Sequence, residues 1–434
     1  MRLHLVPLLA AALSSPVAFA QTGSISLPGS PGAPASPSAA ASTPIGLSEA
    51  LASALANNPG LTGARHELAA TEGARQQSAT RPNPTLSIDV EDTRRATRAT
   101  TLSLSQPIEL GAKRAARMAV ADRARDVAVA QLAARQAEVR AAVTTAYFDA
   151  LVAQERVRLA EASLTLAEGG SSAAAKRVVA GKISPIDETR ARVAESGVRI
   201  ELLQARSELR SALHALRLAM GATPGTFDAV SGTALDTPPA LSDAELARRL
   251  GDAPAIREAQ RDSERLAALA EVERAKRTPD LTFSLGAKRD NDAGRNMAVL
   301  GLAVPLPVFD SNRGAELEAL RRLDKAVMDA RSIASRVELE ALQAQERLQT
   351  GRAEVESLQR DVLPGAQAAY DAAAKGFDLG KFGLLDVLDA QRTLLLAKGQ
   401  YLKALSDTHR ARIELDRLLG EPVQDIPADA PKLP

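Results

Sequence analysis

Two stretches of this chain alternate between apolar and polar residues. Leu86, Ile88 and Val90 interleave with Ser87, Asp89 and Glu91, and Leu102 and Leu104 with Thr101, Ser103 and Ser105. Further on, Leu281, Phe283 and Leu285 interleave with Thr282 and Ser284. A period of two predicts strands with one apolar and one polar face. A fourth strand over 297–305 is less cleanly patterned, because Ala298 to Val304 is almost wholly apolar. After each strand pair the period changes. Residues 112–180 and 311–379 are rich in Ala, Leu, Arg, Glu and Gln and predict very long helices. Seventy helical residues rise ~105 Å, a rod no compact domain needs. Pro364 interrupts the second rod, and Gly169-Gly170 weakens the first near the same level. Return helices follow over about 185–220 and 384–419, and two helices precede each strand pair, over about 47–57 and 60–80, then 243–250 and 255–277.

The same order twice is an internal duplication. Pro59 matches Pro254, and Pro84-Thr85-Leu86 matches Pro279-Asp280-Leu281, at an offset of 195. Arg114 matches Arg313, Gly181 matches Gly380, Asp187 matches Asp386 and Gly221 matches Gly420, at an offset of 199. Hairpin loops absorb insertions, whereas one residue added to a packed helix turns every later side chain by about 100°. The expected organisation is a first repeat over 45–221 (strand hairpin 84–107, tip 181–187), an equatorial connector over 222–242, and a second repeat over 243–420 (strand hairpin 280–305, tip 380–386). The fold class is mainly α with a small β part.

Composition adds the ends and removes most chemistry. Arg2, the apolar run Leu5 to Leu13 and Ala18-Phe19-Ala20 predict a secretory signal peptide over 1–20, cut after Ala20. The alternative is a membrane anchor, but the run falls short of the ~20 residues a span needs. Residues 21–44 read as a flexible leader rich in Pro, Gly, Ser and Ala, and 421–434 as a tail. Net charge is +1, which gives no case for a nucleic-acid partner, and there is no cysteine. The four histidines, His4, His66, His214 and His409, have no ligand spacing, and the five methionines are scattered. No catalytic motif or phosphate loop is found, so neither an enzyme nor a cofactor is expected. With no later stretch reading as a transmembrane helix, entry into a membrane has to be as a barrel. Four strands cannot close one. Three chains would supply twelve, with Leu86, Ile88, Val90, Leu281, Phe283 and Leu285 facing lipid and Ser87, Asp89, Thr282 and Ser284 facing water.

Gly380-Lys381-Phe382-Gly383-Leu384-Leu385-Asp386-Val387-Leu388-Asp389-Ala390-Gln391-Arg392 resembles the second periplasmic hairpin of the TolC family of outer-membrane factors, and Gly181 to Asp187 is its first-copy equivalent. Ser105-Gln106-Pro107-Ile108-Glu109-Leu110-Gly111-Ala112-Lys113-Arg114 and Pro305 to Gly314 resemble the strand-to-helix junctions of its CzcC-like branch, the outer-membrane part of tripartite heavy-metal pumps. The resemblance covers roughly 45–420. It implies a homotrimeric duct, an α-helical barrel on a 12-stranded β-barrel, held in the Gram-negative outer membrane. Its implied partners are outer-membrane lipid, a periplasmic adaptor (membrane fusion protein) and an inner-membrane RND transporter. The expected function is passive exit of divalent heavy-metal cations. A multidrug or type I secretion channel of the same fold, and a soluble periplasmic coiled-coil adaptor, are the alternatives.

Site residues follow at the tips. Gly181 and Gly380 permit the positive φ that a reversing rod uses. Asp187 and Asp386 stand near return-helix N-termini, where the dipole favours a carboxylate. The resemblance implies more: Asp386 and Asp389, with Asp187, would ring the periplasmic aperture. Gly181, Lys182, Ile183, Ser184, Gly380, Lys381, Phe382, Gly383 and Leu384 are expected to dock the adaptor, with ordinary solvated turns as the alternative. The copies differ one turn further on: the second has Asp389 where the first has Arg190.

Overall fold

The computed structural model of the chain describes residues 44–221, 227–232 and 237–420. The signal peptide, the leader up to residue 43 and the tail lie outside the described residues. The first copy runs α1 (Leu47–Asn57), α2 (Pro59–Ser78), β1 (Thr85–Glu91), β2 (Ala99–Ile108), α3 (Lys113–Val179) and α4 (Pro185–Met220). The second repeats it as α5 (Asp243–Leu250), α6 (Pro254–Ala275), β3 (Leu281–Asp290), β4 (Arg295–Ala303), α7 (Arg313–Ser357), α8 (Leu363–Asp378) and α9 (Leu384–Leu419). Proline opens α2, α4 and α6 at the first helical position, where its missing N–H has no intrahelical partner to lose.

The rods differ in continuity. α3 holds 67 residues without a break, so Gly169-Gly170 does not end it. Packing against α4 along most of the lower rod outweighs the ~1 kcal/mol that each helical glycine costs. The second rod carries a five-residue π-helical turn, Leu358–Val362, that ends two residues before Pro364. A proline ring clashes with the carbonyl four residues back, and the wider turn relieves this without stopping the helix.

The four strands form one antiparallel meander, β1-β2-β3-β4. Leu86 lies opposite Leu104, Leu104 opposite Leu285, and Leu285 opposite Leu300. These four leucines make an unbroken row across one face, 49% to 71% exposed. Ile88, Leu102, Ala287 and Ala298 make the next row. The opposite face carries Ser87, Ser103 and Gly286, with Ser105, Ser284 and Gly301 beside them. β4 obeys the same alternation despite its apolar run: Leu300 and Leu302 are on the exposed face, and Met297 and Val299 are half-buried on the other. The outer edges of β1 and β4 have no partner strand in the sheet.

The main core lies at the waist, where α1, α3, α4, the π-helical turn and α9 meet. Part of the connector belongs to it. Ile45 and Val230 form a parallel bridge, Phe227 is 1% exposed, and the Gln154 amide binds both the N–H (2.7 Å) and the carbonyl (3.0 Å) of Val230.

Candidate functional site

Both rods end in the same hydrogen-bonded motif. Lys182 N–H donates to the Arg177 carbonyl at 2.8 Å, and Lys381 N–H to the Gly376 carbonyl at 2.7 Å. The residues between include Gly181 at φ +68° and Gly380 at φ +73°. A left-handed glycine under a six-to-one bond satisfies orphan carbonyls and turns the chain. Return helices then start on caps. Ser184 Oγ accepts from Ile186 N–H at 3.4 Å, and Asp386 Oδ2 accepts from Gly383 N–H at 2.9 Å.

The aspartates do not share one environment. Asp386 and Asp389 are exposed on the first turns of α9, whereas Asp187 is half-buried and 3.5 Å from the Arg190 guanidinium. Glu188 beside it is likewise half-buried and paired with Arg192, so the exposed carboxylates at the tips are those of the second copy. Among the expected docking residues, Gly181, Lys182, Ser184, Gly380, Lys381, Phe382 and Gly383 are exposed. Leu384 is a correction: it is 6% exposed and packs with Ala174, Ala191 and Phe377. Ile183 is half-buried against the same cluster. In the chain these two side chains pack the two hairpins together.

Arg177 also escaped the sequence reading. Its guanidinium lies 3.7 Å from the Phe377 ring centroid and donates to the Phe377 carbonyl at 2.8 Å, joining the first hairpin to the second. The signal was available: Gly376 occupies the matching position in the second copy. A Cβ there would run into the Phe382 ring.

The junction segments at the other end of the rods fasten the sheet to the helices. Asp280 accepts from Lys113 Nζ at 2.7 Å and from Leu110 N–H at 3.1 Å. Burial alone would raise the pKa of Asp280, but the bonds to Lys113 and Leu110 more than offset this and hold it below the ordinary 3.8. Glu109 pairs with Arg117, and Arg114 Nε donates to the Ala79 carbonyl at 2.8 Å. Gly111, at φ +69°, passes so close to Thr278 that a Cβ would meet its side chain at 2.6 Å. In the second copy Asn312 Nδ2 donates to the Glu273 carbonyl at 2.7 Å. Lys276 and then Asn312 keep the Glu273 carboxyl below its usual range.

On the sheet, Leu86, Ile88, Val90, Phe283 and Leu285 are exposed, and Leu281, at the start of β3, is half-buried. No described helix is long and apolar enough to cross a membrane, and no described group of three His, Asp or Glu residues is placed to hold a metal ion.

Paired rods, twice repeated, carry a four-stranded sheet with one apolar exposed face and two free edges. The chain belongs to the family of outer membrane efflux proteins, whose pattern matches residues 50–222 and 246–421, one match per copy. Membership places it in the Gram-negative outer membrane. The chain is 44% identical over 427 residues to the cobalt-zinc-cadmium resistance protein CzcC of Cupriavidus metallidurans, spanning 97% of this chain and 100% of that protein. The nickel-cobalt-cadmium resistance protein NccC of Alcaligenes xylosoxydans xylosoxydans is 29% identical over 229 residues, 53% of this chain and 52% of that one. Among solved structures, the outer-membrane channel OprN superposes with a TM-score of 0.73 at 21% identity, covering 86% of this chain and 89% of that chain. CusC superposes at 0.72 and 20% identity, covering 86% and 92%. At these identities the likeness establishes the fold.

Proposed function

We propose that three copies close a twelve-stranded barrel, and that the resulting duct is the passive exit of a tripartite pump for divalent heavy-metal cations. A periplasmic adaptor and an inner-membrane RND transporter complete the pump. The free-edged sheet with its outward leucine row carries the channel reading, because an isolated sheet of this kind leaves two unpaired edges and a lipid-like face uncovered. The near full-length similarity to a cobalt-zinc-cadmium resistance protein supports the cargo. The energy and choice of cargo then belong to the partners, and the chain itself performs no catalytic step.

Within this reading Asp386 and Asp389 of three chains form a carboxylate ring at the periplasmic aperture, with Asp187 muted by Arg190. Such a ring favours cations and opposes closure at neutral pH. The exposed tip residues Lys182, Ser184, Lys381 and Phe382, set by Gly181 and Gly380, dock the adaptor. A deletion strain tests cargo and docking together. Loss of tolerance to zinc, cobalt or cadmium with unchanged drug tolerance is expected, restored by the wild-type chain. The double variant Gly181→Ala, Gly380→Ala should reach the membrane yet restore tolerance poorly. Sensitivity to drugs alone would overturn the metal cargo; full rescue by the double variant would overturn docking at the tips.

A further inference from the structure

The two faces of the sheet carry their charges differently at the end remote from the rods. On the face of Ser87 and Ser103, acids and bases are mixed: Asp89, Glu91, Lys288, Asp290 and Arg295 lie there. Lys288 Nζ pairs with Glu91 at 2.7 Å, and Asp290 stands opposite Arg295. The leucine face is sorted instead. Past the row of Ala287 and Ala298, its next row is Val90, Thr100, Arg289 and Asn296. Asn291 N–H donates to the Arg98 carbonyl at 3.1 Å, so the β2–β3 ladder runs one pair further and puts Arg98 on this face too. Asn291 Nδ2 ties the backbone of a third exposed arginine, Arg95, to the same corner, at 3.1 Å.

The acids nearby are committed elsewhere. Asp92 uses its carboxylate within the β1–β2 turn, accepting from Arg94 N–H at 2.9 Å and from Thr97 Oγ at 2.5 Å. Asp292 lies beyond the ladder, in the β3–β4 turn. Arg98 donates to the Thr93 carbonyl at 3.1 Å and Arg289 to Asn296 Oδ1 at 3.3 Å, both neutral acceptors. Neither guanidinium pairs with a carboxylate among the described residues. The two are diagonal neighbours across the β2–β3 pair, which sets them roughly 7–8 Å apart. Like charges at that separation repel, and an anion between them lifts the repulsion. Guanidinium forks match phosphate oxygens best. The place of the pair names the source of that phosphate. Both arginines continue the face of Leu285 and Ala287, so whatever covers the apolar rows brings its polar end to them.

We propose that Arg98 and Arg289 bind the phosphate groups of the glycolipid that forms the outer leaflet of the outer membrane. This rests on the reading of the leucine face as lipid-facing and of the rods as periplasmic. The rods follow the strands at Ile108 and Ala303, so the arginines stand at the opposite border of the apolar band, in the outer leaflet. Acyl chains cover the leucine rows while the phosphates hold the guanidiniums, and the pair fixes the height of the barrel in the membrane.

The test is native mass spectrometry of the detergent-solubilised full chain with lipid A, in its bisphosphorylated and dephosphorylated forms. Wild type should hold the bisphosphorylated form at least fivefold more tightly. Arg98→Gln with Arg289→Gln should abolish that preference. Asn296→Asp, which gives Arg289 the carboxylate it lacks, should reduce it severalfold and remains informative should the double variant fail to fold. The same preference in wild type and variants would overturn the proposal, as would release of lipid A by an equal concentration of inorganic phosphate. Flotation of the wild type with phosphatidylethanolamine vesicles is read in parallel and is expected. Its failure would overturn the lipid-facing sheet itself, which unchanged lipid A binding alone would leave standing.

Discussion

One carboxylate oxygen of Asp386 is occupied by the Gly383 N–H, so this residue has two separable duties. As a cap it stabilises the start of α9, and replacing such a group by alanine costs about 0.5–2 kcal/mol. As a charge it belongs to the proposed aperture ring. Asparagine keeps an oxygen for the cap and removes the charge. Asp386→Asn with Asp389→Asn should therefore leave thermal stability nearly unchanged while lowering cation-over-anion selectivity severalfold in planar bilayers. An unchanged reversal potential under a salt gradient would sink the aperture reading. Both aspartates were legible in the sequence, since their place follows from the glycine turn before them. Whether Leu384 faced outward was not. Its burial depends on Ala174 and Ala191, which reach it only when two hairpins about 200 residues apart in sequence come together.

The elements were legible because each has its own period. Alternation fixed one apolar face for the strands, and the helix pattern ran long enough for the rods to stand out. What the patterns did not reveal are the fastenings between copies, and these share a feature. Arg177 has Gly376 as its counterpart, and Asp280 has Thr85. Contacts that join one copy to the other break the duplication, because the two sides of a seam need complementary residues and not identical ones. The interruption at Pro364 likewise became something a propensity argument does not give: a π-helical turn that keeps the rod continuous. If that turn exists to accommodate the proline, Pro364→Ala should let an ordinary helix form through 358–363. Hydrogen exchange there should slow by about an order of magnitude, in proportion to the restored bonding. Unaltered exchange would mean that the neighbouring packing of Leu358, not the proline, imposes the wider turn.

For the whole molecule, the sheet states what the chain lacks. The β2–β3 seam joins the first copy to the second within one chain, and the free edges of β4 and β1 are the same two kinds of edge left open. Repeating that seam between chains closes a ring without any new type of contact. The duplication thus carries the logic of the proposed assembly, and the proposed aperture, docking tips and lipid-facing rows all depend on it. The chain has no cysteine, which makes a direct test clean. A cysteine at Val90 in β1, combined with one at successive positions of β4, should give oxidative cross-links between chains at a single register. On non-reducing gels the products should stop at a covalent trimer. Cross-links confined to one chain, or a ladder that runs past three, would contradict a closed twelve-stranded barrel.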